Sequence, residues 1–451
     1  MVNNLSGYVN FRGSVNSANA AAAKKAATNE NTNAANNTEQ KKACSPEAAR
    51  AYCTTGVSTT LNNDAVKQKY AEVSSILEPE TKVLLSGLLK SGILLNNNSN
   101  DGSSVLDNLH KVATEPKIRG LNPQTLTKEA IETIANPGKI TQTFGDIPDS
   151  VARAVFRHPE LGVRSIDEMN IGEYSNCCVA ASIEYNMATK KPAEFMRMAA
   201  DLTSENYSTV KNLKLTDIAD KKEDAMWLLD TFKLPYKTDD EGNVQVTIAP
   251  DRNAIIRARV QTSYKDEGER TPIDVLMQSA LMNVGSQQSY NSLNDTRVGM
   301  FSDSNAGLTE IEKTFTEEVF EGQAKAPVIY QAINDDGTVA ARSCDYQTMA
   351  KQLINAVDMG HNVIMGYVSF NEAGQITGGH EITLTGYGES PTGDLVFICN
   401  DTQDNQEEPI YVLAESLLPR LHHAGLPKEA LDGAEMPTSF DGIEYYKQAL
   451  S

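Results

Sequence analysis

Residues 378–401 read GGHEITLTGYGESPTGDLVFICND. Apolar and polar residues alternate over 380–387, with β-branched and aromatic side chains, which is the pattern of a half-buried strand. GESPTG is a cluster of turn residues, and LVFIC supplies a second strand over 394–399 that runs out into Asn400 and Asp401. A hairpin centred near Ser390 places His380 across from Asn400, with Cβ atoms roughly 5 Å apart. A side-chain amide facing an imidazole fixes its tautomer, as a proton-shuttling histidine requires. A register one residue different offers Asp401 in place of Asn400.

Working outward, MAKQLINAVDMG is an amphipathic helix ending at Gly360, and NVIMGYVSF is a strand. Helical periodicity predicts helices over 178–190, 192–202, 221–232, 271–284, 307–321 and 345–358. Strands are predicted over 243–249, 362–370, 380–387 and 394–399. The strands concentrate near the C-terminal end instead of alternating with helices, which favours an α+β fold over a doubly wound sheet.

The second informative stretch is NCCVAASIEYNM, residues 176–187, in a chain with only six cysteines. Val179, Ala180, Ile183 and Met187 share one helical face, so a helix starts near Cys178 and ends before Pro192. Unpaired N–H groups and the positive end of a helix dipole make that position a setting for a nucleophilic thiolate. The plainer alternative is that both cysteines are small buried hydrophobes.

Together these segments resemble the papain-like cysteine peptidases. The family pattern of Gly-His, five residues, Gly-Tyr-Gly and a strand ending in asparagine matches Gly379–Gly388 and the strand reaching Asn400. CVAAS resembles the start of the family's central helix, and the order Cys, His, Asn agrees. The resemblance covers about forty residues. It implies a central helix carrying the cysteine, packed on an antiparallel sheet carrying the histidine and asparagine. It also implies Cys178 as nucleophile, His380 as base and acid, Asn400 as the residue orienting the imidazole, a peptide or protein substrate and no cofactor or metal. Cys177 fits a looser variant of the same motif.

There are departures. Val179 stands where the family has tryptophan, and Gly172 (or Ile171, if Cys177 reacts) where it has the glutamine that helps bind the oxyanion. Asn170, Ser175 and Asn176 are substitute donors. DTQDNQEEP replaces the aromatic segment after the asparagine. The long separation between Cys178 and His380 implies a mostly helical insertion at about 205–345. Loss of the glutamine and tryptophan motivates a second reading, a catalytically inactive papain-like domain serving as a protein-binding module. A third reading is a helical interaction protein in which the histidine and asparagine pair by coincidence.

Length and composition frame these readings. A chain of 451 residues suggests two or three domains. Through residue 37 there are ten Asn and nine Ala, a composition too poor in apolar residues to fold, so 1–43 reads as a disordered tail. Residues 44–148 read as a small helical domain with Asn136-Pro137-Gly138 as a stop and Thr125 or Thr127 as a cap; its role as propeptide-like cover, recruiting module or support is open. The resemblance implies a papain-like catalytic domain over 149–451. A formal net charge of -20 argues against binding nucleic acid. No apolar run reaches the roughly 20 residues of a membrane helix and no signal peptide is visible. That leaves a cytoplasmic protein or one exported by a non-standard route. The six cysteines do not form a disulfide framework. His422 and His423 read as a pair at a helix end, without a carboxylate or thiol at ligand spacing, and TDDEGN reads as a hairpin turn and not a calcium loop.

Overall fold

The structure, a computed structural model, describes residues 53–143, 175–219, 221–263, 269–298, 307–334, 336–403 and 407–431. The tail over 1–43, the boundary near residue 148 and the positions Asn170, Ile171 and Gly172 lie outside them.

Four helices open the described chain: α1 (Asp64–Ser75), α2 (Pro79–Lys90), α3 (Val105–Thr114) and α4 (Pro123–Ala135). Pro79 cannot continue the hydrogen-bonding of α1, so it begins a new helix at its first position. A capping box between Ser104 and Asp107 starts α3. The cap of α4 is Asn122, which accepts the Gln124 and Thr125 N–H groups ahead of Pro123, and not Thr125 or Thr127. The Thr127 hydroxyl instead donates back to the Pro123 carbonyl. As the sequence indicates, α4 ends at Asn136-Pro137-Gly138.

Helices α5 (Cys178–Lys190) and α6 (Pro192–Leu202) follow, with Pro192 dividing them as expected. Next come β1 (Thr209–Lys214), α7 (Lys222–Thr231), β2 (Tyr236–Thr238), β3 (Asn243–Ile248), α8 (Ala254–Ser263), α9 (Pro272–Gly285) and α10 (Glu310–Glu321). This stretch contains more than helices: β1, β3 and β2 form a three-stranded antiparallel sheet in that order. TDDEGN makes the β2–β3 turn, with Gly242 in the left-handed region at φ 85°.

The last part holds β4 (Ala326–Ile329), β5 (Gln331–Ile333), β6 (Val339–Arg342), α11 (Tyr346–Asp358), β7 (Val363–Phe370), β8 (Ile376–Glu389), β9 (Leu395–Asn400), β10 (Ile410–Leu413), the single turn α12 (Ala414–Leu417) and β11 (Leu421–Leu426). Six of these strands form an antiparallel sheet in the order β10-β9-β8-β7-β11-β4. Helices beside antiparallel sheets make the fold α+β. His422 and His423 lie on β11 and pair across the sheet, so the helix-end reading is corrected. Among the described residues no helix is long and apolar enough to cross a membrane.

The register of the β8–β9 hairpin also differs from expectation. Thr383, not His380, lies opposite Asn400, and a bulge shifts the pairing between Leu384 and Gly386. The cause is the turn. Ser390 and Asp394 close it with Ser390 N–H donating to the Asp394 carbonyl, and Gly393 supplies φ 89°. The turn is therefore centred beyond Ser390, and every pair moves with it.

Two hydrophobic clusters hold these elements. One joins α1–α4 with α5, α6, α9 and α10, so among the described residues the N-terminal helices share a core with the central ones. The other lies between α11, α12 and the six-stranded sheet. Val179 to Thr189 of α5 are all buried, including Ser182, Glu184 and Asn186. The helix is thus a core helix buried on all sides, where the sequence suggests one buried face.

Candidate active site

The site forms where α5 meets β8. Cys178 is the first residue of α5 and half-buried, while Cys177 precedes it as a cap without a side-chain capping bond. The first-turn N–H groups of a helix have no intrahelical partner, so Cys178 sits beside free donors and the positive dipole end.

His380 lies on β8, buried, opposite Tyr367 of β7. The two rings meet edge to face with centroids 5.8 Å apart, a contact that restrains the imidazole. His380 Nε2 is 2.7 Å from Asp401 Oδ1, and the Gln403 N–H also donates to that oxygen at 3.0 Å. The Cys178 thiol lies close enough to the same imidazole to favour its charged form. With Nε2 engaged by Asp401, Nδ1 is the ring nitrogen left for another partner.

Burial pushes the His380 imidazole toward its neutral form. The Asp401 carboxylate, helped by Tyr367 and the Cys178 contact, outweighs it and holds the imidazole protonated well above its ordinary range. Cys178, His380 and Asp401 are therefore brought together. Asn400 is not in this group: its Oδ1 is buried without a hydrogen-bond partner among the described residues, next to the equally unpartnered Thr383 hydroxyl. The three-residue register shift carries Asn400 past His380, and the next residue supplies the carboxylate.

The structure also separates the two cysteines. Cys177 is fully buried, and burial pushes its thiol up to about 12. Its sulfur is 3.1 Å from the Tyr290 hydroxyl, and Arg270 Nη1 approaches it at 3.7 Å. Tyr290 in turn donates to Asp295 Oδ1 at 2.8 Å. At neutral pH such a group stays a thiol. It fits the reading of a small buried hydrophobe, and Cys178 does not.

Three contacts that the sequence did not suggest fix the turn before the helix. Asn176 N–H donates to Asp295 Oδ2 at 2.6 Å, although Asp295 stands 119 residues away and in left-handed backbone at φ 54°. Ser175 Oγ donates to the Gln142 carbonyl at 2.6 Å, so the hydroxyl considered as an oxyanion donor is already used. Gly307 lies alongside: a Cβ there would come 3.1 Å from the Asn176 carbonyl and 3.9 Å from Cys178 Sγ. Arg297 holds the Gly307 carbonyl at 2.7 and 3.1 Å while pairing with Glu312 at 2.7 Å. Nothing in the sequence links Asp295, which sits in the turn-forming stretch SLND, to Asn176.

A half-buried thiol, a buried imidazole and a half-buried carboxylate in this order can move a proton and form a nucleophile. Among the described residues no group of three or more His, Cys, Asp or Glu side chains is arranged to hold a metal. No family model matches the chain, and no curated protein is similar to it in sequence.

Proposed function

We propose that the chain is a papain-like thiol hydrolase acting on a carbonyl of a peptide or protein substrate. The carrying observation is the 2.7 Å bond from His380 to Asp401, with Cys178 nearby at the start of a buried helix. Cys178 thiolate adds to the carbonyl carbon. His380 Nδ1–H gives its proton to the leaving amine as the carbon–nitrogen bond breaks, leaving an acyl-enzyme. His380 then takes a proton from water as the water oxygen adds to the acyl carbon. The carbon–sulfur bond breaks and the thiolate–imidazolium pair returns. An amine in place of water makes the same site an acyl transferase.

Asp401 takes the orienting role that the resemblance gave to Asn400. Backbone N–H groups at the start of α5 are the nearest donors for the oxyanion.

The test is acylation. The full chain is incubated with an activated ester of a short peptide, and adducts are mapped by digestion and mass spectrometry. The expected result is a single acyl group on Cys178 of the wild type, lost in Cys178→Ala and strongly reduced in His380→Ala. An adduct on Cys177, or none on a folded wild type, would remove the hydrolase reading and favour the non-catalytic binding module.

A further inference from the structure

From the contacts of one buried residue we infer that Gln142 is a positioning residue that ties the cysteine-bearing turn to the loop carrying Asp401. It thereby makes the N-terminal helices a permanent half of the active centre and not a removable cover. The inference rests on the catalytic reading above.

Residues 136–143 leave α4 and run between the two parts of the site. On one side they follow the loop after β9. Gln142 N–H donates to the Thr402 carbonyl at 2.9 Å, Thr141 Oγ1 reaches the same carbonyl at 2.9 Å, and Thr143 Oγ1 meets the Gln403 carbonyl at 3.3 Å. Asn136 Nδ2 and Lys139 both reach the Glu407 carboxylate. Gly138 is packed so close to the Glu407 carbonyl that a Cβ there would clash with it.

On the other side they hold the turn before Cys178. The Gln142 carbonyl accepts from Ser175 Oγ at 2.6 Å, and Gln142 Nε2 donates to the Ser175 carbonyl at 3.2 Å. Ser175 Oγ also accepts the Cys177 N–H at 3.4 Å. The loop closes through Thr402 Oγ1, which donates to Gln142 Oε1 at 3.3 Å.

All four polar groups of Gln142 are thus used, two on each side. Gln142, Ser175 and Thr402 are buried. Ser175 is three residues before the nucleophile, and Thr402 directly follows the carboxylate. Proton transfer needs partners near 3 Å, and a misplacement of about 1 Å can cost about a hundredfold. A residue that sets the spacing between these two segments therefore sets the spacing of sulfur, imidazole and carboxylate.

The N-terminal helices that deliver Gln142 are themselves committed to the central core. Lys117 and Ser204 form an antiparallel bridge, and Ile118 N–H donates to the Thr203 carbonyl. Asn100 N–H is held by Glu194 of α6.

The test compares the rate of Cys178 carbamidomethylation by iodoacetamide at pH 6 in the full-length wild type, His380→Ala, Gln142→Ala and Thr402→Val, with circular dichroism as a folding control. Fast modification of the wild type that is lost in His380→Ala establishes the activated thiol. Gln142→Ala is then expected to fall about tenfold or more toward His380→Ala, and Thr402→Val, which removes one bond, about threefold to fivefold. Wild type that reacts no faster than His380→Ala defeats the catalytic reading itself. A fast wild type with an equally fast, folded Gln142→Ala overturns the positioning role alone. If Gln142→Ala does not fold, Thr402→Val decides: a rate equal to wild type overturns the inference.

Discussion

The two hydrophobic clusters contribute different halves of the proposed site. The helical cluster carries Cys178, at the end of a helix buried on all sides. The sheet cluster carries His380 and Asp401, one on a strand and one just past the end of its neighbour. Adjacent positions of β8 show the division. His380 turns to Asp401, while Glu381 points the opposite way, as alternation along a strand requires, into a layer with His423 at 2.7 Å and Lys313 at 3.6 Å. That layer belongs largely to α10, where Glu310 to Phe320 are all buried, and it continues through Lys325 to Glu317 and Glu321. The seam between the clusters is polar. Polar contacts are directional where apolar ones are not, so a seam of this kind holds two halves at one fixed spacing.

The largest expected effect comes from removing the carboxylate from the sheet half. Asp401→Asn should lower kcat by about 10²–10⁴-fold, the range that well-placed acid–base groups supply. Asn400→Ala, which leaves the 2.7 Å bond intact, should stay within a few-fold of wild type. The sign of the pH effect follows from the raised imidazole. Charged above its ordinary range, the imidazole stays protonated at mildly alkaline pH. It stabilises the fold fully below about pH 6.5 and loses that contribution as pH rises through the raised folded value. Without Asp401, burial is the dominant influence, so the alkaline limb of the pH–rate profile should move down. Steady-state kinetics over pH 5–10 on the three proteins check this. Equal losses in Asn400→Ala and Asp401→Asn would restore the amide to the orienting role.

The seam should answer to stability. Burial alone would push the Glu381 carboxyl up, but His423 and Lys313 outweigh it and hold it down at about 2. Against an unfolded value of about 4.3, this amounts to roughly 3 kcal/mol at neutral pH. A depressed carboxyl stabilises above its unfolded pKa and loses that contribution as pH falls toward the folded value. Glu381→Gln should therefore be less stable than wild type by that order at pH 7, with the gap closing between about pH 4.3 and 2. Urea denaturation at a series of pH values measures it. A gap independent of pH would mean that the substitution acts through packing and not through charge.

How far the sequence disclosed these halves depended on range. Local signals were accurate: Pro192 divides α5 from α6, and the helix begins at Cys178. His380 and the Asn400–Asp401 pair were found because strand periodicity and turn residues are local too. Their register was not found, because it depends on where a five-residue turn closes and on a bulge at Leu384–Gly386, neither of which alternation encodes. Gln142 and Asp295 left no usable trace. Their contacts with the cysteine turn span 33 and 119 residues, and an isolated glutamine or aspartate has no periodicity to read. The α10 layer was hidden for a related reason. Glu310, Glu312, Glu317 and Glu318 look solvated in sequence and are buried in the structure.

The smallest effect should separate the adjacent cysteines. Cys177 lies inside the helical cluster, its thiol in contact with the Tyr290 hydroxyl and with Arg270 nearby. Replacing it with alanine removes one sulfur and its three weak hydrogen bonds, to Tyr290, Asp295 and Arg270. It leaves Tyr290 bound to Asp295, and Asp295 bound to the Asn176 N–H. The expected stability loss is about 1 kcal/mol, with Cys178 alkylation and turnover within about twofold of wild type. A thiol held up at about 12 does not compete for the electrophile at neutral pH, so peptide mapping should find the label on Cys178 in both proteins. A large activity loss in a folded Cys177→Ala would mean that the sulfur itself, and not only the Asp295 contact, holds the turn. The helical half would then depend on the cysteine pair as a unit.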